Sequence, residues 1–142
     1  MGRKLFTDCG AKEAVTYLLD THTFLWCLLD PSKIPSRVRG LITNRNHQVL
    51  VSSVSAWEIA TKFRLGRLPL AKEVATDIAG WVSRLGFAEL PVTIMHAQLA
   101  GSFPQAHRDP FDRMLAAQSV VEHLPIVGCD RELAVFGASL LW

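Results

Sequence analysis

The sequence predicts an α/β protein, a three-layer α/β/α sandwich around a central parallel sheet. Three observations carry this. Short apolar runs of strand length recur, at Tyr17-Leu18-Leu19, Val49-Leu50-Val51 and Ile126-Val127. They are continuous rather than alternating, as strands buried on both faces are. Segments with helical spacing separate them, and that order places helices on both faces of a parallel sheet.

At 142 residues the chain suits one domain. A domain of this length buries roughly two thirds of the surface its unfolded chain exposes. Hydrophobic residues at 49% and charged residues at 20% exclude a disordered segment. A net charge of +2 does not mark a nucleic-acid binder, so any basic surface is local. Cys9, Cys27 and Cys129 are far apart and form no C-x-x-C pair. That argues against a disulfide scaffold or structural zinc and suits a reducing compartment. Arg3 and Lys4 are followed by no apolar stretch of signal-peptide type. The longest strongly apolar run, Phe24 to Leu29, is too short to span a bilayer. The expectation is a cytoplasmic protein without a membrane segment. Residues 1–15 lack periodicity and are expected to be an N-terminal extension, with the domain over 16–142.

Within that domain, 17–19 is the first strand and ends at Asp20. Residues 23–29 look helical, and Pro31 and Pro35 then break the chain. Residues 36–46 form an amphipathic helix with Val38, Leu41 and Ile42 on its apolar face. The strand 49–51 follows. Ser55-Ala56-Trp57-Glu58 matches a capping box that opens a helix to about Leu65, with Gly66 as its stop. Residues 70–85 place Val74, Ile78, Trp81, Val82 and Leu85 at helical spacing, with Gly86 as the stop. Residues 87–90 read as a short strand and 94–100 as a short helix. Asp109-Pro110 is a helix start, Asp as N-cap and Pro at the first position. That helix reaches about His123 and buries Met114, Ala117 and Val121. A strand at 126–127, a helical turn at 131–136 and a last strand at 139–142 complete the pattern.

In open α/β sheets, ligands bind outside the carboxyl ends of the strands. Asp20 follows its strand directly, Asp130 lies just beyond Ile126-Val127, and Glu58 falls in the first turn after Val49-Leu50-Val51. Asp112, in the first turn of its own helix, joins them if that helix starts at the same edge. Converging acids repel one another unless a cation neutralises them. A hard divalent cation such as Mg²⁺ or Mn²⁺ suits oxygen ligands and leaves positions for water and phosphate oxygens. Such a centre can activate water and stabilise in-line displacement at phosphorus. No G-x-S-x-G elbow, P-loop or G-x-G-x-x-G competes. Each acid also has a purely structural reading. Glu58 suits the capping box, Asp112 a helix N-terminus, and Asp20 and Asp130 the caps of the segments that follow.

Three stretches resemble one family. Leu18-Leu19-Asp20-Thr21-His22-Thr23-Phe24-Leu25-Trp26, Ser52-Ser53-Val54-Ser55-Ala56-Trp57-Glu58-Ile59-Ala60 and His107-Arg108-Asp109-Pro110-Phe111-Asp112-Arg113-Met114-Leu115-Ala116-Ala117-Gln118 are similar to the VapC-type toxins of the PIN-domain superfamily. The likeness spans residues 16–142. It implies a PIN fold and an endoribonuclease dependent on Mg²⁺ or Mn²⁺. It also implies a cognate VapB-like antitoxin and a homodimer, making the chain the toxin of a type II toxin–antitoxin system. The family's acids fall on Asp20, Glu58, Asp112 and Asp130, as catalytic and metal-binding residues, and Asp109 is assigned to capping. The alternatives are an RNA-processing PIN nuclease without an antitoxin, and a degenerate RNA-binding module. Two departures stand out. Gly128 occupies the position where the family commonly has Thr or Ser, and the segment before Tyr17 has no counterpart.

His22 and His107 lie near the acids and are expected to be hydrogen-bonded structural residues rather than ligands. Lys62, Arg64, Arg67, Arg108 and Arg113 suit either phosphate contacts or an ordinary solvated face. Trp26, Trp57, Trp81 and Trp142 are expected to pack in the core or at a dimer contact rather than to stack on bases.

Overall fold

The computed structural model describes residues 14–69 and 72–142. Five strands, β1 (Thr16–Leu19), β2 (Gln48–Ser52), β3 (Ala88–Leu90), β4 (Ile126–Val127) and β5 (Leu140–Leu141), form one sheet in the order β3-β2-β1-β4-β5. Every pairing is parallel, with Leu18 opposite both Leu50 and Ile126. The helices are α1 (Thr21–Leu29), α2 (Ser36–Thr43), α3 (Ser53–Arg64), α4 (Lys72–Ala75), α5 (Ile78–Arg84), α6 (Ile94–Ser102) and α7 (Pro110–Glu122).

Alternate strand residues point to opposite faces, and each face buries its own apolar layer. Tyr17, Leu19, Val49, Val51 and Val127 pack with Phe24, Leu25, Val38, Ile42, Ile59 and Val82. Leu18, Leu50 and Ile126 pack on the other side with Leu115, Ala116, Leu133 and Phe136. The sheet is thus covered twice, which is the three-layer sandwich the apolar runs predict. Strand order reverses at β1, so the crevice beyond β1 and β4 is the topological switch point where such sheets take ligands.

Several boundaries differ from expectation, each for a local reason. The helix after β1 starts at Thr21, because Asp20 Oδ1 accepts the Thr23 amide at 2.8 Å and caps it. The helix from Ser36 stops at Thr43 rather than Asn46, because the Asn44 side chain accepts the Asn46 amide and turns the chain. Ser52, not Ser55, is the N-cap of α3, its hydroxyl accepting the Val54 amide at 3.0 Å. The Ser55–Glu58 capping box is therefore not formed, and Glu58 sits in the second turn rather than the first. The helix expected over 70–85 is two helices, divided where Asp77 accepts the Gly80 amide and starts α5. The beginning of that expected helix lies outside the described residues, as do Cys9 and residues 1–13 of the expected extension. The segment 131–136 is a 3₁₀ helix capped by Asp130. Gly66 and Gly86, both at positive φ, follow the helices they were expected to stop. No helix among the described residues is long and apolar enough to cross a membrane.

Candidate metal centre

Asp20, Glu58, Asp112 and Asp130 line one cleft of about 70 Å³, together with Asp109, Thr21, His22, Lys62 and Leu115. That volume is room for roughly two waters at about 30 Å³ each. Asp20 comes from the end of β1, where its amide bonds Val127 O of β4 at 3.1 Å. Asp130 follows β4 by three residues, Glu58 descends from the end of β2 along α3, and Asp112 rides the first turn of α7.

Each acid already has a partner inside the protein. Asp20, 5% exposed, caps α1. Glu58, 4% exposed, accepts from the Thr21 hydroxyl at 2.6 Å through Oε1 and from Lys62 Nζ at 2.5 Å through Oε2. The Thr21 hydroxyl has one hydrogen and spends it on Glu58. The Ser55 hydroxyl, 2.9 Å away, is therefore the donor in that pair. Asp112 Oδ2 meets His107 Nε2 at 3.0 Å, and His107 Nδ1 meets Glu132 at 3.2 Å. Asp130 accepts the Glu132 amide, and Asp109 caps α7 through the Phe111 and Asp112 amides.

Burial is the largest influence on Asp112 and Asp20. It pushes Asp112 up to about 6, with the charges of Asp109, Asp130 and Glu58 adding to it and the His107 hydrogen bond opposing. It also raises Asp20, against the Thr23 hydrogen bonds. The bond to Asp112 raises His107 above the usual imidazole range. An all-oxygen donor set in which Asp20 and Asp112 resist ionising is the chemistry a hard divalent cation relieves. Among the described residues, no three His, Cys, Asp or Glu side chains are gathered tightly enough to hold an ion as they stand. Three of the acids are bonded within the protein instead, Asp20 to the Thr23 amide, Glu58 to Lys62 and Asp112 to His107. The donors are of the kind a hard cation takes and line one cleft, but as they stand they are not gathered around a single point.

Gly128 explains Asp20's position. A Cβ built at 128 would lie 2.5 Å from the Asp20 carboxyl carbon, so the acid occupies the space a side chain would take. The glycine that departs from the resembling family is thus the seat of the first acid. Gly128→Ala is expected to turn the Asp20 carboxylate off the Thr23 amide and to cost about 1–2 kcal/mol, as loss of an N-cap does. Urea unfolding measures it; unchanged stability would mean that Asp20 swings aside freely.

Other expectations resolve unevenly. His107 is hydrogen-bonded, to Asp112 and Glu132, whereas His22 is exposed, with its ring 6.0 Å from Trp26. Arg64, Arg67 and Arg108 are exposed. Arg113 is neither a solvated side chain nor a phosphate contact. Its guanidinium donates to Ala100 O, Phe103 O, Gln105 O and His107 O at 2.7–2.9 Å and lies over the Phe103 and Phe136 rings. Trp57 is not core: it is 57% exposed and meets Phe111 edge-on at 4.8 Å. Lys62 and Thr21 emerge as cleft residues. Their sequence signal was the i, i+4 spacing of Lys62 from Glu58 and the position of Thr21 next to Asp20. A larger cavity, about 610 Å³, opens at the opposite ends of the strands between Val49 and Phe87 and has no carboxylate in its lining.

Comparison with known proteins agrees with this architecture. The PIN domain family model matches residues 17–138. Ribonuclease VapC16 of Mycobacterium tuberculosis is 32% identical over 65 residues, which is 46% of this chain and 45% of that protein. The chain thus matches under half the length of that curated relative. Among solved structures, VapBC2 from Rickettsia felis bound to a promoter DNA fragment superimposes with a TM-score of 0.65 at 12% identity, over 89% of this chain and 98% of that one. VapBC-1 from nontypeable Haemophilus influenzae gives a TM-score of 0.66 at 11% identity, over 89% and 97%. At these identities the structural likeness speaks to the fold, while the family match spans 122 of 142 residues by position (17 to 138). The chain belongs to the PIN domain family.

Proposed function

We propose that this protein is a divalent-metal-dependent endoribonuclease and the toxin of a type II toxin–antitoxin pair, held inactive by a VapB-like antitoxin and assembled as a homodimer in the cytoplasm. The observation that carries the reading is the convergence of Asp20, Glu58, Asp112 and Asp130 on one cleft at the switch point of a PIN fold. The relatives' names point the same way, one a ribonuclease and others VapBC assemblies.

Asp20, Glu58, Asp112 and Asp130 would hold Mg²⁺ or Mn²⁺. When bound, the ion supplies charge neutralisation and an activated water for in-line displacement at phosphorus. The chain's own residues orient the acids. In the metal-free cleft Thr21 Oγ holds Glu58 Oε1, the Thr23 amide holds Asp20 Oδ1, and His107, backed by Glu132, holds Asp112 Oδ2; each would share or release its acid when an ion enters. Asp109 holds the first turn of α7, so Asp112 enters the cleft from a rigid element. Leu115 closes the cleft on the apolar side and limits water there.

Cleavage of RNA in Mg²⁺ or Mn²⁺, abolished by EDTA, is the expected result. Asp20→Asn should lower the rate by at least about a hundredfold, since several kcal/mol of transition-state stabilisation depend on the ion. Equal cleavage by the parent and Asp20→Asn, or cleavage indifferent to EDTA, would refute the proposal.

A further inference from the structure

The pairing of Glu58 with Lys62 has a role beyond helix stability. Glu58 is 4% exposed, and both its oxygens are taken, one by Thr21 and one by the Lys62 ammonium at 2.5 Å. Lys62 lines the same cleft as the four acids. A surface pair four residues apart on a helix ordinarily has its carboxylate in water, where it is worth a few tenths of a kcal/mol. Here the carboxylate is buried, and an unpaired buried carboxylate is costly. The five carboxylates lining the cleft, Asp20, Glu58, Asp109, Asp112 and Asp130, face one lysine. The oxygen that Lys62 covers, Oε2, is the one a cation in the cleft would need, because Oε1 is held by Thr21.

We propose that Lys62 is the built-in counter-cation of this cleft: it competes with the divalent ion for Glu58 Oε2 and so sets how tightly the ion binds. The proposal rests on the metal-centre reading above. In the metal-free protein, Lys62 keeps Glu58 compensated and turned toward α3. An ion entering the cleft displaces the ammonium, whose 35% exposed side chain has water to move into. The exchange lowers the ion's net affinity and keeps the empty cleft from destabilising the fold.

Titration calorimetry with Mn²⁺, paired with thermal melts in EDTA, tests this on the full chain. Lys62→Met should bind Mn²⁺ roughly tenfold more tightly, a change of about 1.4 kcal/mol. It should melt lower than the parent in EDTA and show a larger metal-induced rise in Tm. Lys62→Arg, which keeps a cation there, should stay close to the parent in both. Arg64→Met removes the same charge from the same helix at an exposed position and controls for long-range attraction; its affinity should change less than twofold. Equal Mn²⁺ affinity in the parent and Lys62→Met would overturn the proposal and leave the metal centre standing. An equal gain in Lys62→Met and Arg64→Met would also overturn it, since the effect would then be net charge and not contact. No Mn²⁺ binding by any variant would overturn the metal-centre reading and this proposal with it.

Discussion

Arg113→Ala is expected to cost about 3–4 kcal/mol of folding free energy. The guanidinium satisfies four main-chain carbonyls between residues 100 and 107. Leaving buried carbonyls without a partner costs about 1–3 kcal/mol each, with water reclaiming part of it at the partly exposed loop. The segment tied down by Arg113 runs from the end of α6 to the start of α7 and carries His107 and the Asp109 cap. The variant should therefore lose cleavage even at temperatures where it stays folded, through misplacement of Asp112. Arg113→Lys should recover little, because an ammonium cannot span four carbonyls with the geometry of a planar fork. Urea unfolding with an unchanged m-value measures the loss. A cost under about 1 kcal/mol would show that the loop holds itself and that the clamp is redundant.

Asp112→Asn is expected to stabilise the metal-free protein while removing activity. The folded-state value of Asp112, about 6, lies above the ordinary 3.8. The protonated acid therefore favours the fold, and that benefit is complete below about pH 4 and lost as pH rises through 6. Above pH 6 the wild type folds with a buried charge it resists, and the amide does not. After discounting for the solvent that still reaches this side chain, the variant should gain about 1–2 kcal/mol at pH 7.5 in EDTA. The gain should shrink through pH 6 to 4 and vanish below. Thermal melts across that range, in EDTA, provide the check. A destabilised Asp112→Asn at pH 7.5 would mean that the bond to His107 outweighs the burial. Saturating Mn²⁺ should reverse the ranking, because the ion rewards the ionised parent. RNA cleavage should fall by at least about a hundredfold.

The sheet was legible because strands buried on both faces leave unbroken apolar runs, and Tyr17-Leu18-Leu19, Val49-Leu50-Val51 and Ile126-Val127 are such runs. The start of α7 was legible because Asp109 and Pro110 each suit only a few helix positions. Ser52 was missed as the cap of α3 because it is also the last residue of β2, so strand and helix abut with no loop to announce the change. The break at Asp77 was missed because Val74, Ile78, Val82 and Leu85 keep helical spacing through it. The placement of the acids at one edge could be inferred, since strand ends in a parallel sheet share an edge. Their internal partners could not. Whether Arg113 turns outward to solvent or inward onto four carbonyls depends on where residues 100–107 lie, and no spacing encodes that. The role of Gly128 was hidden for a related reason. What matters there is the volume that the side chain leaves empty, and only the position of Asp20 shows what fills it.

The order in which the cleft is gathered bears on protein synthesis. Asp20 and Glu58 are translated early, but β4 must pair with β1, with Leu19 opposite Val127, 108 residues further along the chain. A chain still emerging from the ribosome therefore holds part of the acid set with no wall opposite it. The cleft is therefore complete only when the last third of the chain has folded back onto the first strand.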